Sequence, residues 1–139
     1  MQLSFSVVAA CSVVLALGPG YAIAQDFKPY PGAKLEEKYS KQASRSGMTC
    51  QVFVSNDSFE KVYAFYKGAY REHTWPVSPP KLPTGREIQW AYFLLDGAKD
   101  LAHSKYWLKI QRPFIGTVND ELDFKDIREL SLIQVVRRQ

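Results

Sequence analysis

Cysteine is almost missing from this chain: only Cys11 and Cys50 occur in 139 residues, and histidine is as scarce, at His73 and His103. Charge is missing altogether from residues 1–24. No H-E-x-x-H, G-x-S-x-G, Walker or dinucleotide-binding pattern is present, and no internal repeat. These gaps exclude a disulfide framework, a zinc-finger set and the common signatures of hydrolases and nucleotide enzymes. No residue pattern calls for a cofactor or a metal.

The uncharged segment has its own pattern. Leu3 to Leu17 is dominated by Leu, Val, Ala and Phe, a run too short to cross a bilayer comfortably. Pro19 and Gly20 break it, and Ala22-Ile23-Ala24 has the small-x-small form that a signal peptidase requires. Residues 1–24 are therefore expected to be a cleaved signal peptide, with only the α-amino group supplying positive charge at the start. Competing readings are an uncleaved anchor and lipidation at Cys11, which follows Val8-Ala9-Ala10. The expected location is secreted or periplasmic, with no transmembrane span in the mature chain.

Residues 25–139 then form a single domain by length. All eighteen Lys and Arg and all fourteen Asp and Glu lie there, giving a net charge of +4. Seventeen aromatic residues lie there too, enough for a core without staples. Cys50 is left without a partner cysteine, and in "TCQVFV" it alternates onto the strand face of Val52 and Val54. That phase predicts a buried apolar residue.

The pattern predicts a polar edge strand over Lys34 to Gln42, after a stiff lead-in containing Pro29, Pro31 and Gly32, and a stronger strand over Thr49 to Ser55. Asp57 with Glu60 has capping-box spacing and opens a helix expected to reach about Glu72. At about 100° per residue, Phe59, Val62, Tyr63, Tyr66, Ala69 and Tyr70 fall on one side of it, a core stripe of tyrosines whose hydroxyls reach the margin. Thr74 to Gly85 holds half of the prolines; its Pro80-x-x-Pro83 matches an SH3 ligand, but a stiff surface loop suits an exported chain better.

Glu87 to Leu95 is apolar on both faces and reads as a central strand, ended by Asp96-Gly97. Ser104 to Arg112 alternates, with Tyr106, Leu108 and Ile110 inward and Lys105, Trp107, Lys109 and Gln111 outward. An acidic connector, "NDELDFKD", precedes a last apolar strand over about Arg128 to Arg137. The expected fold is α+β: an antiparallel sheet of four to five strands with one amphipathic helix packed across it and the far face open to solvent or a partner.

Chemistry is sparse. Both histidines fall at element ends or turns. A Cys50–His73 pair would need Cys50 exposed, against its strand phase. The acidic connector lacks the glycine and the spacing of an EF-hand, so it reads as a solvated loop. The most informative stretch is "SKYWLKIQRP", where Lys105 and Lys109 set cations around the Trp107 ring on the far face, with Arg112 near the strand's end. Such a set suits an anionic envelope polymer, a lipid headgroup or an envelope protein; its bland counterpart is a charged sheet face whose tryptophan is covered by a loop. Nucleic acid is not an expected partner of an exported chain.

Tyr30-Pro31-Gly32-Ala33, the helix positions Phe59, Val62, Phe65 and Tyr66, Asp96-Gly97 and Ile110-Gln111-Arg112-Pro113 together resemble a loose group of small exported bacterial proteins of undescribed function. The resemblance implies an envelope or secreted location and carries no catalytic residue. The expectation is a non-enzymatic binding domain; the alternatives are a small hydrolase or thiol-dependent enzyme using Cys50 or a histidine, and a structural subunit of an envelope complex.

Overall fold

The computed structural model describes residues 26–118 and 123–139. The expected signal peptide and Cys11 lie outside the described residues. In chain order the elements are β1 (Lys34–Leu35), α1 (Glu37–Ala43), β2 (Met48–Ser55), α2 (Phe59–Lys67), β3 (Arg71–His73), β4 (Gln89–Leu94), β5 (Tyr106–Arg112), β6 (Phe114–Val118), β7 (Phe124–Arg128) and β8 (Ser131–Arg138). Six strands make one sheet in the order β1-β2-β8-β5-β4-β3, and β6 and β7 form a separate hairpin. Every pairing is antiparallel. The α+β class holds, with six strands in the main sheet and two helices in place of four to five strands and one helix.

The first correction concerns Lys34 to Gln42. Only Lys34 and Leu35 pair as a strand, and residues 37–43 turn into α1. The reason is the spacing of two serines. Ser40 Oγ accepts from the backbone N–H of Val52 and Ser44 Oγ from that of Cys50, both at 2.9 Å. Four residues of helix rise about 6.0 Å, close to the roughly 6.6 Å between alternate strand residues, so an i, i+4 serine pair matches two edge amides of β2. In this way α1 closes an edge that would otherwise offer unpaired donors to another chain.

The second correction concerns the helix ends. Ser58, not Asp57, caps α2, accepting from the Lys61 N–H. The Asp57 carboxylate is occupied instead by the Tyr30 hydroxyl at 2.7 Å. The helix stops at Lys67, and Arg71–His73 becomes an edge strand on β4. Glu87 to Leu95 is therefore the second strand from the edge, while β8 and β5 hold the centre.

The tyrosine stripe does face the core. Val62 and Tyr66 are wholly buried and pack with Phe93, Leu108, Ile110, Ile133 and Val135 on the near face of the sheet. The tyrosine hydroxyls act outward: Tyr66 donates to the Lys28 carbonyl at 3.0 Å, Tyr70 to that of Asp26 at 2.7 Å, and the Lys28 N–H donates to Tyr70. Residues 26–30 thus form a strap laid over α2, with Phe27 against Phe53 and Tyr66. Burial pushes the Tyr66 phenol well above its ordinary pKa, so it stays a donor.

The far face is not open along its length. Tyr39 and Ala43 of α1, with Phe114 of β6, cover Val52, Val54 and Leu132. Buried Pro113 separates β5 from β6 and supplies no N–H for continuing the ladder, and the chain leaves the sheet to form the hairpin. Tyr39 donates to Asp126 on β7, and a Cβ at Gly116 would meet that hydroxyl at 2.7 Å, so glycine permits the hairpin to approach α1. Part of the expected acidic connector is thereby strand β7; residues 119–122 of it lie outside the described residues.

Candidate functional site

The strand registers assign the far face in rows. Directly opposed residues share a face, so Val52, Gln134, Lys109, Tyr92 and His73 form one row across five strands. Cys50, Val136, Trp107 and Leu94 form the row on one side, and Val54, Leu132, Gln111 and Trp90 the row on the other. A polar line therefore runs between two mainly apolar ones. Lys109 is its only lysine or arginine, in the middle of the sheet.

Above Lys109 lies a hollow of about 290 Å³. Trp90, Gln111 and Gln134 line it with Lys109, and Ile115 and Phe124 of the hairpin form part of its wall. The Lys109 Nζ stands 5.3 Å from the centre of the Trp90 ring and 5.9 Å from that of Tyr92. Aromatic faces attract a cation, but they do not replace the water or carboxylate an ammonium normally has. Among the described residues no carboxylate forms an ion pair with Lys109, whereas Lys61, Lys81 and Lys125 each have one. Desolvation lowers the Lys109 amine from the usual lysine range to about 8.

A second hollow, of about 470 Å³, adjoins the first at Ile115, Leu132 and Gln134 and is bordered by Tyr39, Arg45 and Gly116. It is larger, but Tyr39 is already engaged by Asp126. From the β3 edge of the same face an aromatic line reaches Lys109: His73 to Trp75 at 5.3 Å, Trp75 to Tyr92 at 5.7 Å and Tyr92 to Trp90 at 6.0 Å. Its outer member, Trp75, is 41 % exposed.

The four residues singled out in the sequence do not share one surface. Lys105 is exposed at the turn before β5, its backbone N–H bonded to Asp96. Trp107 is 8 % exposed, covered by the Arg138 guanidinium at 4.9 Å and packed with Cys50, Leu94 and Val136. Arg112 is tied down on the side of α2, donating to the Asp57 and Glu129 carbonyls and to Ser131 Oγ. Of the four, Lys109 alone lines one of the hollows described among these residues. Trp90, Tyr92, Gln111 and Gln134 complete the site. The polar Gln134 inside the apolar run "SLIQVV" was the signal for one of them; the others needed the register.

The thiol reading meets two obstacles. Cys50 is 3 % exposed and burial pushes its thiol up, away from the thiolate a nucleophile needs. Its strand, β2, stands four strand spacings from β3, about 19 Å, so His73 cannot serve it as a base. His103 is exposed, 2.6 Å from Asp100, whose carboxyl it holds below the usual range. Among the described residues no three His, Cys, Asp or Glu side chains converge as a metal site, and no helix is long and apolar enough to cross a membrane. Comparison with family models, curated proteins and solved structures finds no match.

Proposed function

We propose that the chain is an exported, non-enzymatic domain that binds an anionic component of the cell envelope, taking an acidic group of that partner into the hollow over Lys109. The observation that carries this reading is the Lys109 amine, which has no ion-pair partner among the described residues and is held over Trp90 and Tyr92 beside the Gln111 and Gln134 amides. An anion entering there gains a charge-assisted hydrogen bond from a poorly solvated ammonium, and a planar or apolar body gains contact with Trp90 and the hairpin. The net charge of +4 favours anionic partners at longer range. Export is supported by the uncharged, apolar residues 1–24 with their Ala-x-Ala ending. Relative to the sequence expectation the binding centre moves from Trp107 to Lys109, and Lys105 and Arg112 fall outside it.

Calorimetric titration with benzoate and with benzamide separates charge from shape. Benzoate is expected to bind the wild type and not Lys109→Met, and benzamide to bind neither appreciably. Equal binding of benzoate by both proteins would remove Lys109 from the site. Vesicles containing phosphatidylglycerol then test whether a lipid headgroup competes with benzoate.

A further inference from the structure

We propose that Lys109 is also a covalent capture site, its amine condensing reversibly with an aldehyde or ketone that carries an acidic group. The inference rests on the anion-binding reading of the same hollow and names the chemistry of the occupant.

Three features of position support it. Lys109 sits on β5, hydrogen-bonded to β4 on one side and β8 on the other, so its backbone is fixed beneath the hollow. Its Nζ lies over two aromatic rings and has no carboxylate ion pair among the described residues. The groups beside it on the neighbouring strands are the phenol of Tyr92, which burial keeps protonated, and the neutral amide of Gln134; Gln111 on its own strand donates to the Pro113 carbonyl. No anion among these holds the ammonium in its charged form.

The desolvated amine supplies the nucleophile. With a pKa of about 8, roughly one Lys109 in ten is neutral at pH 7, against about one in 2,500 for an ordinary lysine. The nitrogen lone pair adds to the carbonyl carbon, and the C=O electron pair moves to oxygen, which takes a proton to give a carbinolamine. Loss of the hydroxyl as water forms the C=N bond, so one amine and one carbonyl give one imine and one water. Protonation of the imine nitrogen restores a single positive charge, which stays available to the ligand's acidic group. No oxidant or reductant is needed.

The test uses 4-carboxybenzaldehyde with sodium cyanoborohydride, which delivers hydride to the C=N carbon and fixes the adduct as a secondary amine. After brief exposure of the folded mature chain at pH 7.5, peptide mapping compares all eleven lysines. Lys109 is expected to be modified at least about ten-fold faster than the average of the other ten, and benzoate is expected to slow that modification alone. Adducts spread over the exposed lysines, with Lys109 at or below their average, would overturn the proposal even if benzoate binds. Selective modification of Lys109 with no benzoate binding or competition would keep the capture site and remove the anion reading. Benzaldehyde lacking the carboxylate is expected to modify Lys109 more slowly than the carboxylated probe; an equal rate would remove the acidic group from the proposal.

Discussion

The two faces of the sheet are built from the same strands but solve different problems. On the side of α2, Ala91, Phe93, Leu108, Ile110, Ile133 and Val135 of β4, β5 and β8 are apolar, Arg112 and Ser131 bond to each other beside them, and the Tyr66 and Tyr70 hydroxyls are turned outward to hold the 26–30 strap. On the other side a lysine, two glutamines and a tyrosine interrupt the apolar rows, and α1 and the hairpin leave hollows over them. The near face buries its large side chains and satisfies their polar ends. The far face keeps a charge without a countercharge among the described residues, a local cost that close packing alone would have removed. The largest buried cluster lies in one layer, and the hollow over Lys109 in the other.

Breaking the near face should have the largest effect. Tyr66→Ala removes a wholly buried ring that touches Phe27, Phe65, Tyr70 and Phe93. Denaturant unfolding should show a loss of about 3–5 kcal/mol. A loss under about 1 kcal/mol would mean that the stripe is not the core.

The far face should respond with the opposite sign. Lys109→Met keeps an unbranched side chain and removes the desolvated charge, so it should stabilise the fold by about 1–3 kcal/mol at pH 7. The folded amine has a pKa near 8 and the unfolded one about 10.4, so between those values the unfolded chain binds more protons. Wild-type stability should therefore rise with pH across that window, and the advantage of Lys109→Met should vanish above it. Unfolding curves at several pH values between 7 and 11 check both statements.

An effect of similar size, again destabilising, should appear at the sheet edge. Ser40→Ala together with Ser44→Ala strips the oxygen acceptors from two amides of β2 and should cost about 1–3 kcal/mol, with faster hydrogen exchange at Val52 and Cys50. Unchanged exchange would show that α1 does not protect that edge.

What the sequence disclosed follows the same division. Strand-forming composition located β2 and β8, and alternation located β5 and assigned Tyr106, Leu108 and Ile110 to one face and Trp107, Lys109 and Gln111 to the other, because a period of two fixes sides. It did not disclose what covers a side: an open Trp107 and one covered by a loop both fit the alternation, and Arg138 closes over it. The segment forming α1 is polar and short, and its serines bond to strand amides rather than displaying a helical apolar stripe, so nothing local marked it as a helix. The hairpin was hidden because "FIGTV" is brief and the residues after it are acidic. Lys109 was legible as an outward cation; Trp90, Tyr92 and Gln134 joined it only once the strand order was known. Register is a long-range property, and a single sequence carries it weakly.

The most direct test of the far-face charge that lacks a countercharge among the described residues is the titration of the Lys109 side-chain amine by NMR, with and without benzoate. The structure predicts a midpoint near 8 for the free protein, moving upward when benzoate is bound. A midpoint at the ordinary lysine value of about 10.4, unmoved by benzoate, would contradict it.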